Sequence, residues 1–322
     1  MRELRIRNRI GVNQSGLAKA PSITRRHNMR PNAPFFSIVV PTYNRPFQLM
    51  NCLGALAELD YPRACFEVIV VDDGSTLSLH EIEEAFSAKL SLVFVRQANA
   101  GPAAARNTGA RHAKGQYIAM TDDDCAPASD WLTCLARQLE KDPTQLYGGR
   151  ILNGLPGNRY AVVSQTILEE AYAWHRTAEG FPRFFATNNV AVSADSFHKI
   201  GGFHETFRNA GAEDREFCDR WLHNRHPMAY VPDAIVYHRH DLNLRKLLRQ
   251  QFNYGCGAFN FYRLQSERGW GRFQFHKSFY QGLFLRSLNG RGGDRALLLA
   301  LLSCAQLAVA GGYFWQKLTR NQ

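Results

Sequence analysis

The sequence predicts an α/β fold built on a mostly parallel central sheet, flanked by helices and extended at the C-terminus by further helix. Three observations predict it. Apolar runs of strand length lack polar alternation, as strands buried on both faces do. They alternate with segments of helical periodicity. Three of the runs end in polar or acidic clusters, and in open α/β sheets the ligand lies outside the carboxyl ends of the strands.

Residues 36–40 read as a buried strand, broken by Pro41 and then by Asn44-Arg45-Pro46. The helix that follows carries Leu49, Cys52, Leu53 and Leu56 on one face. Residues 66–71 form the second strand, which ends in Asp72-Asp73-Gly74-Ser75. A helix near 79–88 leads to a third strand over 90–96. Residues 101–114 are Ala-rich and helical, with Pro102 in the favoured first turn. They deliver a strand over 116–120, and Thr121-Asp122-Asp123-Asp124 stand at its end. A helix starting near Ser129 follows. Further on, 212–223 reads as a helix, and a strand beginning near Met228 ends at His238. The clusters 42–44, 72–73 and 122–124 therefore converge on one cleft.

The chain of 322 residues, 45% of them hydrophobic, can hold one large domain or two modest ones. Its net charge of +11 is unevenly spread: +7 in 1–34, +10 in 242–322, and −6 in the stretch between. An acidic centre excludes a nucleic-acid-binding core, and basic flanks suit an anionic surface, a lipid membrane first. The seven cysteines are scattered and form no CxxC pair, so neither a disulfide framework nor a zinc site is expected, and a reducing, cytoplasmic setting fits. The first 34 residues lack an apolar h-region and read as a disordered basic arm, with an organellar transit peptide as the competing reading.

Carboxylates delivered by a strand end suit a hard cation, Mg²⁺ or Mn²⁺, that keeps positions open for phosphate oxygens. An acidic triplet alone also fits a solvated turn. The surrounding motifs decide against that. Val40-Pro41-Thr42-Tyr43-Asn44, Val71-Asp72-Asp73-Gly74-Ser75, the run 99–109, the Asp triplet, Asn188-Asn189, Gly201-Gly202-Phe203, Glu213-Asp214 and Tyr237-His238-Arg239-His240 occur in order over roughly residues 36–260. In this order the chain resembles a family 2 glycosyltransferase of the GT-A fold.

The resemblance implies an enzyme that moves a sugar from a nucleoside-diphosphate sugar to an acceptor hydroxyl with inversion, in cell-surface polysaccharide or glycolipid synthesis. It casts Pro41, Thr42, Tyr43, Asp73, Arg106, Asp122 and Asp123 as nucleotide contacts. Asp73 would accept from a ring N–H of the base, since a carboxylate only accepts. Asp124, Asp122 and His238 would hold the metal, with His240, the same-face neighbour of His238, as the competing ligand. Asp214 would be the base, with Glu213 beside it as positioning residue or substitute. Asn188, Asn189, Gly201, Gly202 and Trp221 would line the acceptor and sugar pocket, and Trp174 is a second aromatic able to stack on a sugar ring. Trp221 follows Asp219-Arg220, yet Phe217 stands where the Gln-x-x-Arg-Trp box of processive synthases has glutamine, so single-sugar transfer is expected. A sugar nucleotidyltransferase would need a Gly-rich phosphate loop with a Lys after the first strand, which is absent. A catalytically inactive nucleotide-sugar-binding module would lack carboxylates that are all present.

Domain boundaries follow as 1–34, 35–241 and 242–322. Within the last, 296–316 carries no charge and, at ~1.5 Å per residue, is long enough to cross a bilayer. Ser303, Gln306 and Gly311-Gly312 weaken that reading, and Arg286, Arg291, Arg295, Lys317 and Arg320 on both sides set no orientation. It reads as a membrane-inserted or interfacial helix at the cytoplasmic face, or as a core or dimer helix. The clustered charge favours the membrane. The expected partners are a nucleotide-sugar donor, a saccharide or lipid-linked acceptor and an anionic membrane surface, with no nucleic acid.

Overall fold

A computed structural model describes residues 33–320 apart from 272, 274–275 and 290–294. All but the last two residues of the basic arm, and Arg291, lie outside the described residues. The chain runs β1 (Phe36–Thr42), α1 (Pro46–Ala57), β2 (Phe66–Asp72), α2 (His80–Ser87), β3 (Leu92–Arg96), α3 (Pro102–His112), β4 (Tyr117–Met120), β5 (Cys125–Pro127) and α4 (Trp131–Leu139). It continues β6 (Leu146–Asn153), α5 (Arg159–Trp174), β7 (Val190–Ser193), α6 (Ala194–Lys199), α7 (Glu213–His223), β8 (Met228–His238), α8 (Leu244–Glu267), α9 (Lys277–Asn289) and α10 (Arg295–Thr319).

One eight-stranded sheet has the order β3-β2-β1-β4-β7-β6-β8-β5. The pairs β3-β2, β2-β1, β1-β4 and β6-β8 are parallel. The pairs β4-β7, β7-β6 and β8-β5 are antiparallel. The parallel half is the alternating apolar region. Its strands β1, β2 and β4 are buried throughout because both faces are covered. On one face Ile38 and Val40 pack with Leu49 and Leu53 of α1 and with Trp131 and Leu135 of α4. On the other Val39 and Ile118 pack with Ala103 and Ala110 of α3 and with Phe217 and Trp221 of α7.

Pro41 does not break the first strand. The Thr42 carbonyl accepts from Asp73 N on the β2 side, while the Val39 carbonyl accepts from Thr121 N on the β4 side. Pro41 thus faces β4 beyond Met120, where that ladder has ended, and its missing N–H costs no bond. The short strand β5, directly after the Asp triplet, is a second departure from the sequence reading. It pairs Cys125 with His238 and Pro127 with Val236, which brings the end of β8 beside the triplet.

Candidate active site

Strand ends β1, β2 and β4, the N-terminus of α7 and the end of β8 meet at one edge of the sheet. The three Asp side chains of the triplet diverge. Asp122 turns to α3, where Arg106 Nη2 donates to its Oδ1 at 2.6 Å. Asp123 is buried against β1, accepting from Thr42 Oγ1 at 2.7 Å and from Arg45 Nη1 at 3.2 Å. Asp124 turns to β8, with His238 Nε2 at 3.2 Å from Oδ1 and His240 Nε2 at 3.9 Å from Oδ2. Arg45 Nη1 also reaches Asp124 Oδ2 at 3.1 Å. The sequence reading passed over Arg45; its signal was its place directly after the Tyr43-Asn44 cluster at a strand end.

Asp124, His238 and His240 each offer a ligand atom within 4.8 Å of the others. The competing histidines therefore share the site, while Asp122 stands outside this cluster on Arg106. A carboxylate with two imidazoles fits a divalent ion that accepts both oxygen and nitrogen, and the buried Nδ1 of His240 has no partner among the described residues. Burial disfavours charge on Asp124, but the His238 cation and its hydrogen bond hold the carboxyl well below the usual range. Burial likewise pulls His238 down, and Asp124 overcomes it and raises the imidazole. His240, buried beside that cation, is pushed down to about 3. Burial and the neighbouring Asp124 push Asp123 up to about 7.

Arg106 links two parts of the cleft. Besides Asp122 it donates through Nη1 to Glu213 Oε1 at 3.1 Å, and Glu213 Oε2 accepts from Gly211 N at 2.7 Å. Glu213 is thereby fully engaged at the head of α7. Asp214 beside it accepts from Arg215 N through Oδ1 at 2.7 Å, and among the described residues no side chain pairs with its second oxygen. It is partly exposed. Burial first, and the Glu213 carboxylate second, raise Asp214 to about 7. The preceding Ala212 is left-handed, φ 68°, a conformation that L-residues hold at a cost of order 1 kcal/mol and that clusters at functional sites.

Asp73 is buried at the tip of β2. Its Oδ1 accepts from Gln97 Nε2 and Ala100 N, and Oδ2 accepts from Gly101 N at 2.9 Å. It fixes the turn into α3, and Oδ2 accepts a single bond, against two on Oδ1. Tyr43 is exposed beyond the end of β1, while Pro41 and Thr42 are buried within it.

The expected pocket residues divide. Asn188 is buried, and its Oδ1 has no partner among the described residues. Asn189 is not a pocket residue: it accepts from Trp131 Nε1 at 2.9 Å and donates to the Arg150 and Ala234 carbonyls, which commits its amide to the interior. Trp221 is 0% exposed, donates to the Pro227 carbonyl at 2.9 Å and packs beside Phe217. It belongs to the core. Gly201 and Gly202, φ 88° and 64°, form a turn held by Asn107, whose Oδ1 accepts from Phe203 N, and by Arg220, which donates to the Ile200 and Gly202 carbonyls. Trp174 lies at the contact of α5 with α9, donating to Ser278 Oγ.

Helix α8 supplies two residues that no motif marked. Gln250 Nε2 lies 3.3 Å from His240 Nε2 and donates to Tyr254 Oη at 2.9 Å. Tyr254 packs on Gly211, and burial together with Asp214 and Glu213 raises its phenol.

Residues 37–208 match the family model described as glycosyl transferase family 2. Among curated proteins the chain is 27% identical over 243 residues to glycosyltransferase AglE of Haloferax volcanii, covering 73% of this chain and 77% of that one. It is 32% identical over 238 residues to the hyaluronan synthase of Pasteurella multocida, covering 63% of this chain and 24% of that protein, so it spans about a quarter of that relative's length. Among solved structures it resembles the mannosyltransferase PcManGT from Pyrobaculum calidifontis in complex with GDP-Man and Mn²⁺, with a TM-score of 0.62 at 19% identity over 89% of both chains. The S. aureus TarS 1–349 structure in complex with UDP gives 0.52 at 18% identity, covering 89% of this chain and 91% of that one. These likenesses show the GT-A fold.

Proposed function

The chain belongs to glycosyl transferase family 2, and from that premise we propose an inverting, metal-dependent transferase in which Asp214 is the base. It is a glycosyltransferase of nucleotide-sugar donors. The observation that carries the finer reading is the arrangement of carboxylates: Asp124 on two imidazoles, Asp122 and Glu213 on Arg106, and Asp214 with an unengaged oxygen. Each grouping is suited to a different part of one reaction.

Asp124, His238 and His240 would hold the cation, and Mn²⁺ suits their mixed donor set. A bound cation supplies neutralisation of charge on the departing nucleoside diphosphate. The chain's own residues do the rest. Thr42, Tyr43 and Asp73 bind the nucleoside, with Oδ2 of Asp73 accepting from the base. Arg106 orients Asp122 toward the donor and holds Glu213 in place. Asp214, raised to about 7, takes the proton of the acceptor hydroxyl at its free oxygen as the new bond forms. Attack from the face opposite the leaving group inverts the anomeric centre. Glu213 is engaged by Arg106 and Gly211 N, so it positions and does not exchange the proton.

On this reading residues 35–241 are the catalytic unit and 242–322 a helical region that brings it to the cytoplasmic face of a membrane. A saccharide or lipid-linked acceptor there serves cell-surface polysaccharide or glycolipid synthesis. The test is a panel of UDP-, dTDP- and GDP-sugars with Mn²⁺ or EDTA, read by thermal shift and nucleotide release. Metal-dependent stabilisation by one nucleotide class with slow release is expected. Stabilisation without any turnover, even with lipid extract as acceptor, would make the chain a binding module.

A further inference from the structure

Helix α10 has two opposite faces. Leu301, Leu302, Ala305 and Gly312 are buried. Opposite them Ala296, Ala300, Ser303, Leu307, Ala310, Phe314 and Leu318 form an exposed stripe at helical spacing. On this stripe Leu307 is 72%, Phe314 58% and Leu318 67% exposed. No charge interrupts the helix between Arg295 and Lys317. A helix face turned to water would carry charged and polar residues; this one carries Leu, Phe and Ala. Helix α9, which touches α10, adds exposed Phe284 and Leu285.

The buried face is locked to the rest of the molecule. A Cβ at Gly255 of α8 would collide with the Val309 carbonyl, and one at Gly312 would collide with the Phe252 carbonyl. The two backbones touch where only glycine permits it. Cys256 Sγ donates to the Gly312 carbonyl at 3.2 Å, and Phe259 meets Tyr313 edge to face. Leu247 of α8 joins Leu301, Leu302 and Ala305 in one apolar cluster. The other side of α8, through Tyr254 and Gly257, packs on Gly211 of the catalytic loop. Helix α8 is thus sandwiched between α10 and the loop that carries Glu213 and Asp214.

We infer that α10 lies flat on an anionic phospholipid surface, its Leu307–Phe314–Leu318 stripe in the interface, and does not cross the membrane. This deepens the proposed function, on which its biological sense rests. To span, α10 would have to take α8 into the bilayer with it, exposed Arg245, Lys246 and Arg249 included, or leave α8 and open the glycine contacts. A flat helix of 25 residues lays ~37 Å of apolar stripe on the bilayer. The charge fits an anionic partner: Arg295 at one end, Lys317 and Arg320 at the other, and exposed Arg245 and Arg249 at the start of α8. Trp315, 59% exposed in the last turns of the helix, is an aromatic of the kind enriched at membrane interfaces. The catalytic loop then sits one helix layer above the lipid, and the acceptor it meets is one held at that surface.

The test uses the full chain and vesicles of phosphatidylglycerol and phosphatidylcholine, with phosphatidylcholine alone as the comparison. Wild type floats with the anionic vesicles, less so at high salt, and alkaline carbonate strips it off. The Leu307→Glu/Phe314→Glu variant keeps its thermal transition and its nucleotide binding and loses at least about tenfold in partitioning. Flotation that resists carbonate would overturn the flat geometry. Unchanged flotation of the variant would overturn the choice of face. A lipid-free dimer that the variant splits, with no vesicle binding by wild type, would assign the stripe to a second copy of the chain. Nucleotide binding is read separately, so loss of the transferase reading and loss of the docking reading are distinguishable.

Discussion

Arg106 and Glu213, far apart in the chain, meet 3.1 Å apart in the interior of the cleft. The other arm of the same guanidinium holds Asp122, so one cation joins the end of β4 to the head of α7, next to Asp214. Breaking such a buried pair leaves two carboxylates without a counter-charge, which costs about 3–5 kcal/mol. Arg106→Met is expected to lower stability by that order and to raise KM for the donor. Arg106→Lys keeps the charge but not the fork, and should recover stability more than it recovers KM. Equal recovery of both in steady-state kinetics and urea melts would contradict the two-armed role.

Asp124→Ala removes the carboxylate between the imidazoles and is expected to abolish Mn²⁺-dependent donor binding by calorimetry. His240→Ala, which leaves the Asp124–His238 contact in place, should weaken it by a smaller factor. Donor binding to Asp124→Ala that still responds to Mn²⁺ would move the cation elsewhere.

Asp214→Asn should leave donor affinity unchanged and lower transfer by roughly 10²–10⁴-fold, the usual contribution of a general base. The pH dependence follows from the raised carboxyl. A base near 7 makes kcat/KM climb as pH rises through about 7, in acceptor turnover measured from pH 5 to 9. Stability runs the other way. The folded carboxyl is raised from 3.8 to about 7, so its contribution is complete below about 4 and is lost as pH rises through 7. Thermal melts should show a shallower decline in Asp214→Asn than in wild type, since the variant keeps the part owed to Asp123, also raised to about 7.

Gly257→Ala places a Cβ against the Gly211 carbonyl and must push α8 off the loop that leads to Glu213 and Asp214. Transfer is expected to fall at least about tenfold while donor binding, on the proposed contacts of β1, β2 and β4, is kept. A parallel loss of donor affinity in the same titration would show that the displacement spreads through the whole cleft.

Trp221→Phe tests the assignment of Trp221 to the core. Losing Nε1 removes one of two donors to the Pro227 carbonyl, which keeps Leu146 N, a cost of about 1 kcal/mol for the lost hydrogen bond, with KM for donor and acceptor unchanged. A selective rise in the acceptor KM, with stability intact, would return this residue to the pocket.

The parallel half of the fold was legible because burial on both faces writes itself into each strand as an unbroken apolar run. The clusters at the strand ends were legible for the same topological reason. Pro41 misled because the bond it lacks faces a ladder that has already ended, which only the register reveals. Asn189 and Trp221 misled because a motif identifies residues without saying which way they face, and both turn inward to satisfy buried carbonyls and an indole. Gln250 and Tyr254 left no mark at all: they reach the cleft through a helix-to-loop contact set by Gly257, and single glycines are too common to announce one. Strand β5 has three residues, too few for any periodicity.

That small strand has a temporal consequence. The pairing of Cys125 with His238 joins the acidic end of β4 to a part of the chain synthesised much later. Until β8 has emerged, Asp124 lacks both imidazoles, and until α8 follows, the loop at Gly211 has nothing to rest on. The Asp124 cluster can therefore assemble only once the chain through β8 has been made, and a fragment ended before β8 carries Asp124 with neither histidine beside it.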